Sequence, residues 1–402
     1  MKKSLMALPF LSILLFMIVD CTAVFASQSS GSIASSASSN AAGYQEIHAC
    51  GQAAPGFASC FAIVLKAKGM HANMDKSVPT GLTPKDLQAA YKLPSATAGK
   101  GQTVAIVDAY DNPNAEKDLA IYRSTFHLSA CTTANGCFKK VDQRGSTQYP
   151  QADSSWAGEI SLDLDMVSAV APNSHILLVE ANSTAFGDLG RAVDTAVRLG
   201  ATEVSNSYGG KENALDASVM AHYYDHPGVA ITVSAGDSGY GVQLPAAYNT
   251  VISVGGTTLS SANNARGWTE SAWGGSGSGC SQYISKPSWQ KDSGCQNRTV
   301  ADVSAVADPD TGVAVYDTYE NYGTDWAIYG GTSASAPIIA GVYALAGNAA
   351  KIDASYLYSH TANLNDVTSG SNGTSLPAYL STSGKGFDGP TGLGTPNGSG
   401  AF

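Results

Sequence analysis

Apolar residues along this chain fall into two alternating patterns. Short continuous apolar runs at Thr103–Val107, His175–Val179, Thr202–Ser205, Val229–Ser234 and Val251–Val254 read as strands buried on both faces. Between them, segments 114–125, 155–170, 186–199 and 214–225 read as helices. In the second of these, Ile160, Leu164, Val167 and Val170 recur at helical spacing. Upstream, Leu82-Thr83-Pro84-Lys85-Asp86-Leu87 predicts a helix start, with Thr83 as the cap and Pro84 at the first helical position. Strands alternating with amphipathic helices predict an α/β fold: a mostly parallel central sheet with helices on both faces, in three layers. The C-terminal third is richer in Gly, Ser and turns, and no internal repeat is evident.

The N-terminus departs from this pattern. Lys2 and Lys3 precede an apolar run, Leu5 to Val19, and Val24-Phe25-Ala26 forms a small-residue cleavage site. The run is too short for a membrane span, and Asp20 before Cys21 is a poor fit to lipid attachment. Residues 1–26 are therefore read as a signal peptide and the product as secreted and extracellular. Residues 27–77 read as a short disordered stretch and pro-segment with one cysteine pair, and residues 78–402 as the main domain.

Charge and cysteines narrow the picture further. A net charge of −10 argues against a nucleic-acid partner, and no polybasic or heptad segment points to a membrane or a coiled coil, so a monomer is expected. Only 13% of residues are charged, which is compatible with an acidic environment. Once Cys21 leaves with the leader, six cysteines remain, in local pairs: Cys50 with Cys60, Cys131 with Cys137, and Cys280 with Cys295. In an oxidising compartment, nearest-neighbour disulfides are expected. Zinc is disfavoured, because no pair has C-x-x-C spacing.

The candidate chemistry begins at Gly330-Gly331-Thr332-Ser333-Ala334-Ser335-Ala336-Pro337, where a small nucleophile, Ser333, lies on a glycine-rich turn entering an apolar helix. Amides and the helix dipole at such a terminus favour developing negative charge. None of the seven histidines lies in a recognisable catalytic context, so the base is sought elsewhere. Glu159 and Asp163 are four residues apart on one predicted helix, which puts both carboxylates on one face. Mutual repulsion there favours a shared proton or one raised pKa, as an acid-range base needs. By itself an E-x-x-x-D pattern is more often a solvated acidic face. Asp165 points elsewhere on the helix, as a surface or structural residue. Asp237, in Ala235-Gly236-Asp237-Ser238-Gly239, follows a predicted strand, where α/β proteins place functional groups.

Together these segments resemble the sedolisin (serine-carboxyl) peptidase family, kumamolisin-like, with a subtilisin-like fold. The motifs that carry the resemblance come in family order: Glu159-x-x-Leu162-Asp163, Ser207-Tyr208-Gly209-Gly210, Ala235-Gly236-Asp237-Ser238-Gly239, Asp302-Val303-Ser304-Ala305, Gly331-Thr332-Ser333-Ala334, and Asp366-Val367 with Gly384-Lys385-Gly386-Phe387-Asp388. The resemblance implies Ser333 as nucleophile, Glu159 as general base, Asp163 as its partner, and a protonated Asp237 facing the oxyanion. It implies an acid-acting endopeptidase on protein or peptide substrates, with a tripeptidyl-type exopeptidase or an inactive calcium-stabilised binding module as the alternatives. Ser205, Tyr208 and Gly209 are expected to meet the substrate backbone. One structural Ca²⁺ is implied at Asp366 and Asp388 with the carbonyls of Val367, Gly384 and Gly386. Asp108, near the end of the first strand, stands either beside the catalytic acids or as a strand-end cap. Tyr208 replaces the Trp of kumamolisin-like relatives. The family's large prodomain has no counterpart of that size here, which leaves the Cys50–Cys60 segment in its place and suggests self-cleavage near residues 70–80.

Overall fold

The computed structural model describes Met1 and residues 44–67, 79–319, 325–351 and 353–402. The rest of the predicted leader, and most of the predicted self-cleavage region, lie outside the described residues.

The first described segment forms strands β1 (Tyr44–His48), β2 (Ser59–Cys60) and β3 (Ile63–Ala67). Within the stretch read as disordered and pro-segment, residues 44–48, 59–60 and 63–67 thus form strands, and residues 27–43 and 68–77 lie outside the described residues. From Cys60 to Leu65 every side chain is buried, because the apolar run Phe61-Ala62-Ile63-Val64-Leu65 has a sheet to join.

Helix α1 (Pro84–Ala90) starts as expected, with Thr83 and Asp86 forming a reciprocal capping box. Strand β4 (Thr103–Ala109), helix α2 (Ala115–Thr125), strand β5 (Phe138–Asp142) and helix α3 (Ser154–Val170) follow. Then come β6 (His175–Ala181), α4 (Phe186–Arg198), β7 (Glu203–Asn206), β8 (Tyr208–Lys211) and α5 (Ala214–Val219). The segment read as one helix over 214–225 divides into α5 and a 3₁₀ turn, Ala221–Tyr224. Next are β9 (Ala230–Ser234), β10 (Gln243–Leu244), β11 (Ile252–Ser261), β12 (Trp268–Ala272), β13 (Gly279–Ser285), β14 (Asn297–Val300) and β15 (Val303–Val306). Strands β16 (Val313–Tyr316) and β17 (Trp326–Gly330) lead into helix α6 (Thr332–Ala346).

The central sheet runs β12-β11-β9-β7-β4-β6-β5, with β15 also on β11. All its pairs are parallel except β11 with β12. The first strand of the sheet, β4, lies in the middle, so the order reverses there and a crevice opens beyond the strand ends. Helices flank the sheet, giving the expected three-layer α/β architecture. The three disulfides pair nearest neighbours: Cys50–Cys60, Cys131–Cys137 and Cys280–Cys295.

Two buried helices carry the candidate chemistry. α3 is capped by Asp153, which accepts from the amides of Ser155 at 3.0 Å and Trp156 at 3.1 Å. It packs directly on α6, and the contact depends on Gly341: a Cβ there would lie 2.2 Å from Val170 Cγ2. Asp165 is buried and accepts from the Tyr316 amide at 2.9 Å, so its role is structural and not on the surface.

Candidate active site

Ser333 is the second residue of α6, whose cap is Gly331 at φ +92°, a backbone conformation that glycine alone adopts freely. The buried Ser333 hydroxyl donates to Glu159 Oε2 at 2.8 Å, with the Ser207 carbonyl as an alternative acceptor at 3.2 Å. One turn further along α3, Asp163 Oδ1 accepts from Ser207 Oγ at 2.8 Å. Glu159, Asp163 and Ser333 come from distant parts of the chain and meet in one sealed pocket.

Burial is the dominant electrostatic effect. It pushes the pKa of Glu159 well up, reinforced by the negative charge of Asp108; hydrogen bonds from Ser333 and the Ala62 amide oppose the rise. Asp163 is raised for the same first reason, with Asp108 and then Glu159 adding repulsion. Asp108 is itself fully buried and pushed up by desolvation. Neither of its oxygens has a hydrogen-bond donor, nor do Glu159 Oε1 and Asp163 Oδ2. Three carboxyls sharing a dry pocket cannot all ionise, so the cluster retains protons that an exposed acid would lose. This places Asp108 beside the acid pair electrostatically and not merely as a strand-end cap.

Asp237 lies just beyond β9, in the loop that faces the start of α6. Its Oδ1 accepts from the Thr332 amide at 2.8 Å and from Thr332 Oγ1 at 2.7 Å. Its Oδ2 is sealed from solvent and has no partner. Burial raises its pKa to about 7, against the lowering effect of the two Thr332 bonds. Below that pH Asp237 holds a proton, and the free oxygen is the one available to donate it. The group can therefore stabilise an anion formed next to Ser333, close to the first turn of α6.

Residues 146–376, more than half of the chain, match the subtilase family. The chain belongs to that family. Among subtilase relatives, kumamolisin from Bacillus sp. (strain MN-32) is 32% identical over 84% of this chain. Sedolisin from Pseudomonas sp. (strain 101) is 30% identical over 78%. The chain spans 66% of kumamolisin's length and 60% of sedolisin's. Among solved structures, Pseudomonas sedolisin, a serine-carboxyl proteinase complexed with two molecules of pseudo-iodotyrostatin, matches with a TM-score of 0.66 and 26% identity. That match covers 80% of this chain and 96% of the sedolisin chain. A psychrophilic protease, at 20% identity and a TM-score of 0.52, shares the fold.

The remaining expected site residues divide. Tyr208 and Gly209 pair antiparallel with Cys60 and Ser59 at the cleft edge. Ser205 does not reach that edge: its backbone lies inside the central sheet, opposite Ile106 on one side and Thr232 on the other. Tyr208 points inward, where its hydroxyl bonds Asn206 Oδ1 at 2.8 Å. In this subtilase, Asp366 and Asp388 converge on one short loop. Asp366 accepts from the Gly386 amide at 3.0 Å, and Asp388 from the Gly384 amide at 3.1 Å. Burial pushes Asp388 up to about 6. Among the described residues, no group of three or more His, Cys, Asp or Glu side chains is placed to hold a metal. The expected calcium donors, two carboxylates and three carbonyls, need no such group, and their hard oxygen chemistry fits Ca²⁺.

The roles of four residues were not anticipated from the sequence. Ser207 anchors Asp163, Thr332 holds Asp237, and the amides of Phe61 and Ala62 reach the Ser333–Glu159 pair. A polar residue directly after a buried strand could have flagged Ser207. The apolar run after Cys60 could have flagged the last two as a strand and not a linker.

Proposed function

We propose that this chain is a secreted serine-carboxyl endopeptidase that works in acid. The observation that carries the reading is the 2.8 Å bond from Ser333 Oγ to Glu159 Oε2, with no imidazole in between. Glu159 takes the Ser333 proton as Oγ attacks the peptide carbonyl, and then gives it to the departing amine. The protonated Asp237 donates to the oxyanion through Oδ2. Water next attacks the acyl-enzyme, with Glu159 again as base. Asp163, held by Ser207, and Asp108 keep protons within reach and prevent Glu159 from becoming a permanently ionised, weak base. The likeness to kumamolisin and sedolisin supports this reading. Three disulfides and the predicted leader support export.

The loop of Asp366, Val367, Gly384, Gly386 and Asp388 takes one Ca²⁺ in this proposal. The ion supplies local rigidity, and no reaction step passes through it. Hydrolysis of a peptide library at acid pH, with Ser333→Ala as control, tests the assignment. Internal cuts lost in Ser333→Ala are expected. Release of N-terminal tripeptides alone would replace the endopeptidase by the tripeptidyl form, and equal cleavage by Ser333→Ala would overturn the mechanism.

A further inference from the structure

The loop that carries Asp237 continues to Tyr240, which is 42% exposed. The Tyr240 amide donates to the Asn372 carbonyl at 3.0 Å, and the Asn372 amide donates to the Ser381 carbonyl at 2.9 Å. Backbone bonds thus join the Asp237 loop to the end of the 3₁₀ turn Ala378–Leu380, which carries Tyr379. Tyr379 is one wall of a cleft of about 470 Å³, and Trp289, Tyr358 and Phe387 are the others, with Asp292 also lining it. A cleft of that size falls within the range of ligand sites.

The rings meet at tilted angles. Trp289 and Tyr358 are 4.6 Å apart at 50°, Tyr358 and Phe387 6.0 Å at 33°, and Tyr379 and Phe387 6.5 Å at 60°. All four residues are half-buried, so apolar ring faces remain open to a guest. The walls are fixed from behind. Trp289 lies over the buried Arg298 guanidinium at 5.1 Å, and Arg298 is held by bonds to Asp302 at 2.8 and 2.5 Å. Tyr358 donates to the same Asp302 at 2.7 Å. Tyr379 donates to Asp292 Oδ2 at 2.8 Å and accepts from the Gly294 amide at 2.7 Å. The loop and this tyrosine meet too closely for a side chain: a Cβ at Gly294 would lie 2.4 Å from the Tyr379 hydroxyl. The Cys280–Cys295 disulfide closes the loop that supplies Trp289 and Gly294. Rings so held are organised for apolar contact before any guest arrives.

The polar atoms of the cleft are already in use. Both tyrosine hydroxyls donate to buried carboxylates, Lys291 donates to the Ser288 carbonyl, and Asp292 Oδ1 pairs with the Lys286 ammonium at 2.9 Å. A sugar, with its many hydroxyls, would find these partners occupied. An ordinary peptide strand would bring amides that each need an acceptor. A proline-rich segment brings few N–H groups, its polyproline II form is set before binding, and aromatic-lined grooves suit it. We propose that this cleft takes a proline-rich segment of a polypeptide substrate while another part of the same polypeptide lies at Ser333. The proposal rests on the peptidase reading above. The bonds from Tyr240 through Asn372 to Ser381 link the two sites.

Two readouts test this. The first titrates the Ser333→Ala chain, which leaves the probe uncut, with decaproline in a calorimeter. Saturable binding is expected, weakened at least about tenfold by Trp289→Ala and less than about threefold by Trp289→Phe, which keeps a ring face. Tyr379→Ala, from a different segment, should weaken binding to a similar extent as Trp289→Ala and replaces it should that variant fail to fold. The second readout compares acid hydrolysis of one peptide with and without a decaproline tail on a long glycine-serine linker. The tail is expected to lower KM at least about tenfold in the parent chain, and the ratio should fall toward one in Trp289→Ala. No decaproline binding, binding unmoved by Trp289→Ala and Tyr379→Ala, or binding of cellohexaose in its place overturns the proline site. Equal KM with and without the tail overturns its role in substrate capture. Decaproline binding with no hydrolysis of either peptide by the parent chain would uphold the cleft and overturn the peptidase reading.

Discussion

Ser333 Oγ and Glu159 Oε2 lie 2.8 Å apart although 174 residues separate them along the chain. A carboxylate thus stands where a base must stand, and the pair should act as a unit. Glu159→Gln keeps the shape of the side chain but cannot take a proton. Its kcat on a peptide substrate is expected to fall by about 10²–10⁴-fold with KM little changed. Steady-state kinetics at acid pH checks this.

In the proposed mechanism, Asp237 sets the alkaline limit. Its pKa of about 7 means that the donating proton is present below that value and lost as pH rises through it. Activity is expected to decline across the same range. Asp237→Asn is the informative variant. Its Oδ1 can still accept both Thr332 bonds, while its Nδ2 donates at every pH. A kcat/KM profile against pH should lose the alkaline limb near 7, and an unchanged limb would assign it to another group.

Stability should also depend on pH, with the sign set by buried acids. Glu203 is fully buried in β7, and desolvation raises it from 4.5 to about 8. Because its folded pKa is the higher one, the folded state is favoured below about 4.5, and this advantage is lost as pH rises toward 8. Tm should therefore be higher at the acid end of that range. Glu203→Gln should flatten the difference and raise neutral-pH stability by roughly 2–4 kcal/mol. Thermal unfolding of both chains across the range measures it.

The calcium assignment has a separate readout. Adding chelator is expected to lower Tm by several degrees, on the order of 1–3 kcal/mol of lost linkage. Asp366→Asn should remove the chelator's effect. A Tm insensitive to chelator in the parent chain would return the Gly384–Asp388 loop to a simple turn.

Much of this was legible in the chain. Periodicity located β4, β6, β7, β9, the start of β11, and α3, because buried strands and a buried helix leave uninterrupted apolar signals, but it did not find β5 or β15. The Thr83 cap and the three local disulfides followed from short-range chemistry. Strand β11 was read as ending at Val254 because Gly255 and Gly256 discourage a strand. In the fold, close approach of backbone and side chains calls for them: a Cβ at Gly255 would be 2.5 Å from the Pro390 carbonyl. Tertiary relationships were out of reach of periodicity. The place of Ser207 after a buried strand flags a functional residue but does not name Asp163 as its partner, and nothing local marks Asp165 as buried and bonded to the Tyr316 amide. The role of Phe61 was hidden because a strand completed by distant partners looks, by itself, like a short apolar linker.

The pairing of β1 with β3 and of β3 with β17 has a consequence for assembly. A strand supplied from within the chain meets its partner at an effective concentration in the millimolar range, whatever the concentration of the protein. The four-stranded sheet β1-β3-β17-β16 should therefore stay assembled on dilution, where a separate peptide with the sequence of β1–β3 would fall away.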